Sequence, residues 1–392
     1  MNKFFYDTNK ICNFYSSRKI ILGRNIIRNV GDEAKALGCS RAIIVTDPGL
    51  VTAGITKIVE DALHEKNIES YLYDKVEPEP PARVVDDCAK VIREEGHDIV
   101  IGLGGGSSLD VAKGVALMAT NPGSILDHVG LEVVPKPGIP KILIPTTAGT
   151  GSEVTKSCVL TDEKENTKKV VASSFALAEV AILDPTITFS MPAAITANTG
   201  MDALVHAIES YVSVKTTPFA EILAMEAISL IAYNLPLAYA KGSDEIARYN
   251  MLLAANIAGQ AFGSSGLGAV HGLAYVLGNE YHIPHGLGNA IMLPHVMDFN
   301  KTGNLPKFAK IAQAMGEDIE GLSLYEAAEK SVRAVRNLLE AVNIPYQLSH
   351  YGIPAEDLPK LVDGGMKQAR LFVPNPRDMT EADVKGVYEK AL

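Results

Sequence analysis

Residues 98–114, DIVIGLGGGSSLDVAKG, decide how the chain is read. Ile99–Leu103 runs apolar without alternation, as a parallel strand covered on both faces requires. Three glycines then break the strand, and LDVAK opens a helix. Gly104, Gly105 and Gly106 let backbone approach a phosphate without Cβ clash, and Ser107 stands among the N–H groups of a helix start whose dipole favours an anion. The same residues also suit a tight strand-to-helix turn that needs glycine for conformation alone. The pattern is not GxGxxG, since Ser107 takes the place of the last glycine, and no GKS or GKT makes it a P-loop.

Outward from this turn the alternation continues. RAIIVTD (41–47), IESYLYD (68–74) and KILIPTT (141–147) read as further strands, with helical periodicity near 51–66, 82–95 and 107–119. Strand and helix in turn predict a doubly wound α/β fold with a parallel sheet. Ligands of such sheets bind beyond the carboxyl ends of strands, here Thr46–Gly49, Gly104–Ser108 and Pro145–Gly151. Asp47 can accept hydrogen bonds from a ribose and repel a 2′-phosphate, which predicts NAD over NADP, or it can cap the helix that Pro48 and Gly49 begin. PTTAGTGSEVT (145–155) gathers four threonines and a serine on a loop well made for a nucleotide.

After Asp184-Pro185 the texture changes. Segments 193–213, 218–235, 244–262, 265–278, 322–343, 355–368 and 380–391 are rich in Ala, Leu, Met and Glu, with prolines such as Pro236 and Pro294 punctuating them. The expected organisation is an α/β dinucleotide-binding domain over 1–188 and an all-helical domain over 189–392.

Composition excludes several classes. The 392 residues carry 36 Lys and Arg against 46 Asp and Glu, a formal net charge of −10, with no basic block to neutralise phosphates, so nucleic acid is not an expected partner. MNKFFYDTNK has no apolar run, and no stretch of about 18 uninterrupted apolar residues follows, so a cytoplasmic chain without a membrane span is expected. Cys12, Cys39, Cys88 and Cys158 stand apart, without a CxxC pair, and read as reduced, mostly buried thiols. Trp is absent and aromatics are 6%, which favours small substrates over polymers.

The helical half holds a metal-like constellation. Asp202 and His206 in GMDALVHAIES (200–210) are spaced i, i+4 and leave one helix face. VHGLAYVLGNEYHIPHG (270–286) adds His271 and His285, with His282 as a spare. One carboxylate and three imidazoles suit Fe²⁺ or Zn²⁺ with room for a substrate oxygen. Glu209 reads as an exposed helix carboxylate, with support of a ligand as the other role.

Together GGGSSLDVAK, PTTAGTGSEVT, GMDALVHAIE and the HG…PHG pair resemble the iron-containing (group III) alcohol dehydrogenase family. The likeness runs from FYSSRKIILGRN (14–25) to NPRDMTEADV (375–384). It implies the dehydroquinate synthase-like architecture of that family, with nicotinamide and metal meeting in a cleft. Its motifs place Asp202, His206, His271 and His285 as metal ligands, with His271 and His285 at the chemistry. They place Asp47, Gly104, Gly105, Gly106, Ser107, Thr146, Thr147, Thr150, Lys168 and Leu183 at NAD, with Lys169 as the alternative to Lys168. The substrate side falls to Ser157, Cys158, Phe262, Leu267 and Tyr275, and Tyr275 stands where many members carry a second histidine. Tyrosine titrates near 10, so a proton-relay role does not carry over to it.

The implied reaction moves a hydride between a small primary alcohol or aldehyde and NAD(H), on a divalent ion acting as Lewis acid. A metal-dependent sugar-phosphate cyclase of the same fold would need basic residues, and segment 200–285 offers only Lys215, Lys241 and Arg248. A non-catalytic nucleotide- or metal-binding protein is the third reading. Lys19–Leu22, an apolar strand with an open edge, predicts a homodimer or higher oligomer.

Overall fold

The computed structural model describes residue 9, residues 11–165 and residues 167–392. The reading of MNKFFYDTNK therefore lies outside the described residues, Asn9 apart. Two compact units divide the chain: Tyr15–Ser190, and Met191–Leu392 together with Met1–Phe14. The division falls after Ser190. Phe14 goes with the helical unit, where its ring lies tilted against that of Phe219 with 5.5 Å between centroids.

Among the described residues of the first unit nine strands form two sheets. They are β1 (Lys19–Leu22), β2 (Arg41–Val45), β3 (Glu69–Tyr73), β4 (Ile99–Gly104), β5 (Gly130–Leu131), β6 (Lys141–Pro145), β7 (Ser157–Asp162), β8 (Thr167–Ala172) and β9 (Val180–Leu183). The main sheet has six parallel strands in the order β1-β9-β6-β4-β2-β3. Alternate side chains feed two cores: Ile43, Val45, Val100 and Leu143 into one, Ala42, Ile44, Ile101 and Ile144 into the other. Burial on both faces is why these strands read as unbroken apolar runs. From β2 the chain winds outward to β3, then crosses back to β4 on the other side, so the loops after β2 and β4 part at the point where ligands bind in such sheets. A smaller sheet, β5-β8-β7, has β7 antiparallel to β8, a hairpin the sequence reading passes over.

Among its described residues the second unit is built of helices and turns. Helices Ala193–Val212, Pro218–Ala240 and Glu245–Ser265 pack on one another, and Ala269–Tyr281 and His285–Asn300 follow. Starts are marked by side chains: Thr217 accepts from Ala220 N with Pro218 behind it, and Asp244 accepts from Ala247 N at 2.9 Å. Pro236 and Pro294 lie inside helices instead of ending them. The lost hydrogen bond is outweighed where the surrounding turns are buried, as Ile291, Leu293 and Val296 are around Pro294. Pro218–Ala240 is also long and apolar enough to cross a membrane by length and composition, with mean hydropathy 1.4 over its best window. Glu221 and Glu226 interrupt that run, which is why no unbroken apolar stretch registers in the sequence.

Candidate active site

Asp202 and His206 sit mid-helix in Ala193–Val212, both buried. His271 is in the first turn of Ala269–Tyr281, just past the break at Gly266–Gly268, and His285 is the first residue of His285–Asn300 after Pro284. Tertiary packing brings a carboxylate oxygen of Asp202 and ring nitrogens of His271 and His285 within 4.8 Å of one another. Asp202 and His271 are almost wholly buried, whereas the His285 side chain is 43% exposed, so the cluster opens to solvent on that side.

His206 is placed beside this trio, not among its converging donors. Its ring stacks on His271 at 5.0 Å and on Phe262 at 4.4 Å, and its Nδ1 is buried without a partner. The amide of Asn289 occupies the middle: Nδ2 donates to Asp202 Oδ1 at 2.7 Å and lies 3.1 and 3.2 Å from Nε2 of His271 and His285. His282 is exposed at the end of its helix with φ 55 and does not join the cluster.

Glu209 corrects the expectation of an exposed carboxylate, because the helix face one turn past His206 is also buried. Its oxygens accept from Gly268 N (2.9 Å), Val270 N (2.6 Å) and His271 Nδ1 (2.7 Å). That fixes a proton on Nδ1 and turns the lone pair of Nε2 toward Asp202. Charges follow this geometry. Burial opposes the proton on His271, yet Glu209 carries its pKa above the ordinary value. Burial, aided by the neighbouring imidazoles, pushes His206 down to about 4, so it stays neutral. Burial works against ionising Asp202, but His206, His285 and His271 hold its carboxyl below the usual range. A carboxylate, imidazole nitrogens and an orphaned buried nitrogen fit a borderline divalent cation such as Fe²⁺ or Zn²⁺.

Phe262, Leu267 and Tyr275 are half-buried. Phe262 covers His206, and the Tyr275 ring lies 5.8 Å from that of His285. Two other residues expected at the substrate are placed differently. Cys158 is fully buried in the core of the first unit because it points inward from β7, and burial pushes its thiol up to about 12. Ser157, half-buried beside it, gives its carbonyl to Lys113 Nζ at 2.5 Å.

In the first unit the expected nucleotide residues gather at the strand ends. Gly104 has φ 150, and a Cβ there would meet Ser108 Oγ at 2.5 Å; a Cβ on Gly106 would meet Thr150 Cγ2 at 2.8 Å. Gly105 caps helix Gly106–Met118, and Ser107 is half-buried in its first turn. Thr146, Thr147 and Thr150 follow β6, where Thr146 N donates to Gly104 O at 3.0 Å. Asp47 does cap its helix, accepting from Gly49 N and Leu50 N at Oδ1, while Oδ2 lies 3.5 Å from Ser108 Oγ. The capping reading of Asp47 is the one observed, and it uses one of the two oxygens. The tight glycine cradle and paired strand ends fit a dinucleotide.

Lys168 sits on the smaller sheet, engaged with Thr161 (3.0 Å) and Glu79 (3.1 Å), while Lys169 pairs with Glu165. Leu183 is wholly buried at the end of β9, and its carbonyl accepts Gly23 N at 3.1 Å, so its side chain offers a ligand no surface. Arg248, a candidate phosphate group for a cyclase, is buried with its guanidinium spent on Gly242 O, Thr196 Oγ1 and Met191 O.

Glu209 takes the supporting place that the sequence reading held second, and Asn289 is the one residue of the cluster that reading did not name. Asn289 stands four residues after His285, the same spacing that picked out Asp202 and His206, and that signal finds it.

Comparison with known proteins bears on this arrangement. A family profile described as iron-containing alcohol dehydrogenase matches residues 17–185, and one described as the C-terminal part of the Fe-containing alcohol dehydrogenase family matches 196–392. The chain is 42% identical to a 1,3-propanediol dehydrogenase of Klebsiella pneumoniae over 372 residues, 94% of this chain and 96% of the relative. A solved 1,3-propanediol oxidoreductase superposes with TM-score 0.95 at 40% identity, covering 98% of this chain and 100% of that one. Sulfoacetaldehyde reductase from Bifidobacterium kashiwanohense, solved with NAD⁺, superposes with TM-score 0.88 at 30% identity over 97% and 99% of the two chains.

Proposed function

The chain belongs to the iron-containing alcohol dehydrogenase family, an NAD-linked alcohol oxidoreductase, and from that premise we propose that it interconverts a short primary alcohol and its aldehyde on a single divalent iron, with zinc as the competing ion. The observation that carries this reading is the convergence of Asp202, His271 and His285 donors within 4.8 Å. With His206 beside them these residues would hold the ion. When bound, it supplies Lewis acidity that polarises the alcohol or aldehyde oxygen.

The remaining work falls to the chain itself. Glu209 holds His271 in one tautomer, and Asn289 holds Asp202 Oδ1. Phe262 shields the far face of His206 from water, and Tyr275 limits what fits beside His285. Gly104, Gly105, Gly106, Ser107, Thr146, Thr147 and Thr150 cradle the NAD phosphates, with Asp47 at the ribose. Lys168 contributes only by exchanging partners. The relatives favour this chemistry over a sugar-phosphate cyclase, as does the commitment of Arg248 to carbonyls and a threonine.

The test is NADH absorbance with a panel of short alcohols and aldehydes, on metal-depleted protein and after reloading with Fe²⁺ or Zn²⁺. Turnover should return with the metal and be lost in His271→Ala. Full activity of the metal-free protein would end the proposal.

Two further attributes belong to it. The buried thiols of Cys39, Cys88 and Cys158 suit a reducing cytoplasm. Among the described residues the outer edge of β1 has no strand beside it, and a homodimer that pairs it across a two-fold axis protects it. A monomeric mass by light scattering would exclude the dimer.

A further inference from the structure

Helix Gly106–Met118, which opens at the glycine turn, carries a lysine with no exposed surface. Lys113 is fully buried. A buried ammonium persists only when its hydrogens are taken. Its Nζ donates to the carbonyls of Ser152 (3.0 Å) and Ser157 (2.5 Å) and to Thr155 Oγ1 (3.2 Å), and lies 2.9 Å from Asp110 Oδ1. Asp110, one turn earlier on the same helix, accepts from Ser152 Oγ (2.5 Å) and from Val159 N (2.9 Å). Every group in this knot except the two helix residues lies on the loop after β6 or on β7. The threonine-bearing loop is thus tied, through two side chains, to the helix whose N-terminus forms the phosphate cradle. Thr150 is pressed close enough to Gly106 that a Cβ on the glycine would not fit.

We propose that Lys113 and Asp110 are positioning residues for the dinucleotide. They touch no reacting atom, but they hold the Thr146–Thr155 loop in place before the cofactor arrives, so binding does not have to order it. A loop ordered in advance raises affinity without adding a contact. The inference rests on the reading of Gly104–Ser107 and Thr146–Thr150 as the NAD cradle.

Lys113→Met removes the charge that balances Asp110 and three hydrogen-bond donations at the centre of the knot, and risks unfolding, so the informative variants are milder. Thr155→Val removes one acceptor of the ammonium with little change of shape, and Ser152→Ala removes one donor to Asp110. On full-length, metal-loaded protein, NADH dissociation constants come from nucleotide fluorescence, alongside KM for NAD, KM for alcohol at saturating NAD, and the thermal midpoint. Each variant should weaken NADH binding by about two- to tenfold, the effect of one hydrogen bond. The double variant should weaken it further, while KM for alcohol stays within twofold. A lowered thermal midpoint with NADH affinity unchanged within twofold would reduce the knot to ordinary scaffolding and overturn the proposal, as would equal losses for NADH and alcohol. A wild-type chain that binds no NADH would instead remove the cofactor reading, and this inference with it.

Discussion

Glu209→Gln is the sharpest probe of the metal centre, because it changes one atom outside the donor set. The carboxylate accepts three hydrogen bonds in a buried setting, two from backbone N–H of Gly268 and Val270 and one from His271 Nδ1. A glutamine keeps one acceptor oxygen and presents N–H₂ where the second stood. If that amide faces His271, it donates to Nδ1 and moves the ring proton to Nε2, which removes the lone pair a metal needs. If it faces Val270, two donors meet at the 2.6 Å site of the former bond. Either outcome costs metal affinity, and loss of such a supporting carboxylate typically lowers it about 10- to 100-fold. That corresponds to about 1.4–2.7 kcal/mol. The assay dialyses iron- or zinc-loaded wild type and variant against graded chelator and measures retained metal by mass spectrometry, with near-ultraviolet circular dichroism as the control for folding. Half-release at the same chelator concentration, within twofold, would refute the role given to Glu209.

Asp47→Gly should narrow the preference for NAD over NADP while costing only a few tenths of a kcal/mol in stability, since glycine is a tolerable cap; kcat/KM for both cofactors checks it, and a wild type that prefers NADP would contradict it. Tyr275→His should re-rank alcohols by kcat/KM, with shifts of about 1–3 kcal/mol for an altered pocket contact; a uniform rise in kcat across linear, branched and acid-bearing alcohols would show that a proton path had been missing. Burial raises the thiols of Cys39, to about 11, and Cys158, to about 12, and raises Cys88 as well. At pH 8, native protein should therefore leave these three unreactive to a disulfide reagent and yield all four only in denaturant. Their protonated forms are favoured by the fold, so stability should fall as pH rises past about 8.5, where unfolded thiols ionise; rapid labelling of two or more thiols in native protein would contradict the burial.

The fold was legible where pattern and burial agree. β2, β4 and β6 are apolar on both faces, and their sequences say so without ambiguity. The β7–β8 hairpin was not, because SCVLTD and TKKVVA are short, half-polar and separated by a charged turn, a pattern shared with ordinary loops. Prolines misled in the helical half. Pro236 and Pro294 carry a local signal to stop, yet both helices continue because burial of the flanking turns outweighs a single lost hydrogen bond.

At the site, spacing along one helix revealed which residues share a face but not what faces them. Asp202 and His206 leave the same face, and only tertiary packing decides that Asp202 converges with His271 and His285 while His206 lies flat between His271 and Phe262. Glu209 was misjudged for a related reason. An i, i+3 carboxylate past His206 is exposed if the helix lies on the surface and buried if it runs through the bundle, and nothing local separates the two. What relates these residues is their spacing: in GMDALVHAIES the polar residues Asp202, His206, Glu209 and Ser210 stand at i, i+4, i+7 and i+8, so all four share the face that carries Asp202 and His206. If that face is turned inward to bring Asp202 to an ion, Glu209 is turned inward with it and must find buried donors, which the structure supplies as Gly268 N, Val270 N and His271 Nδ1.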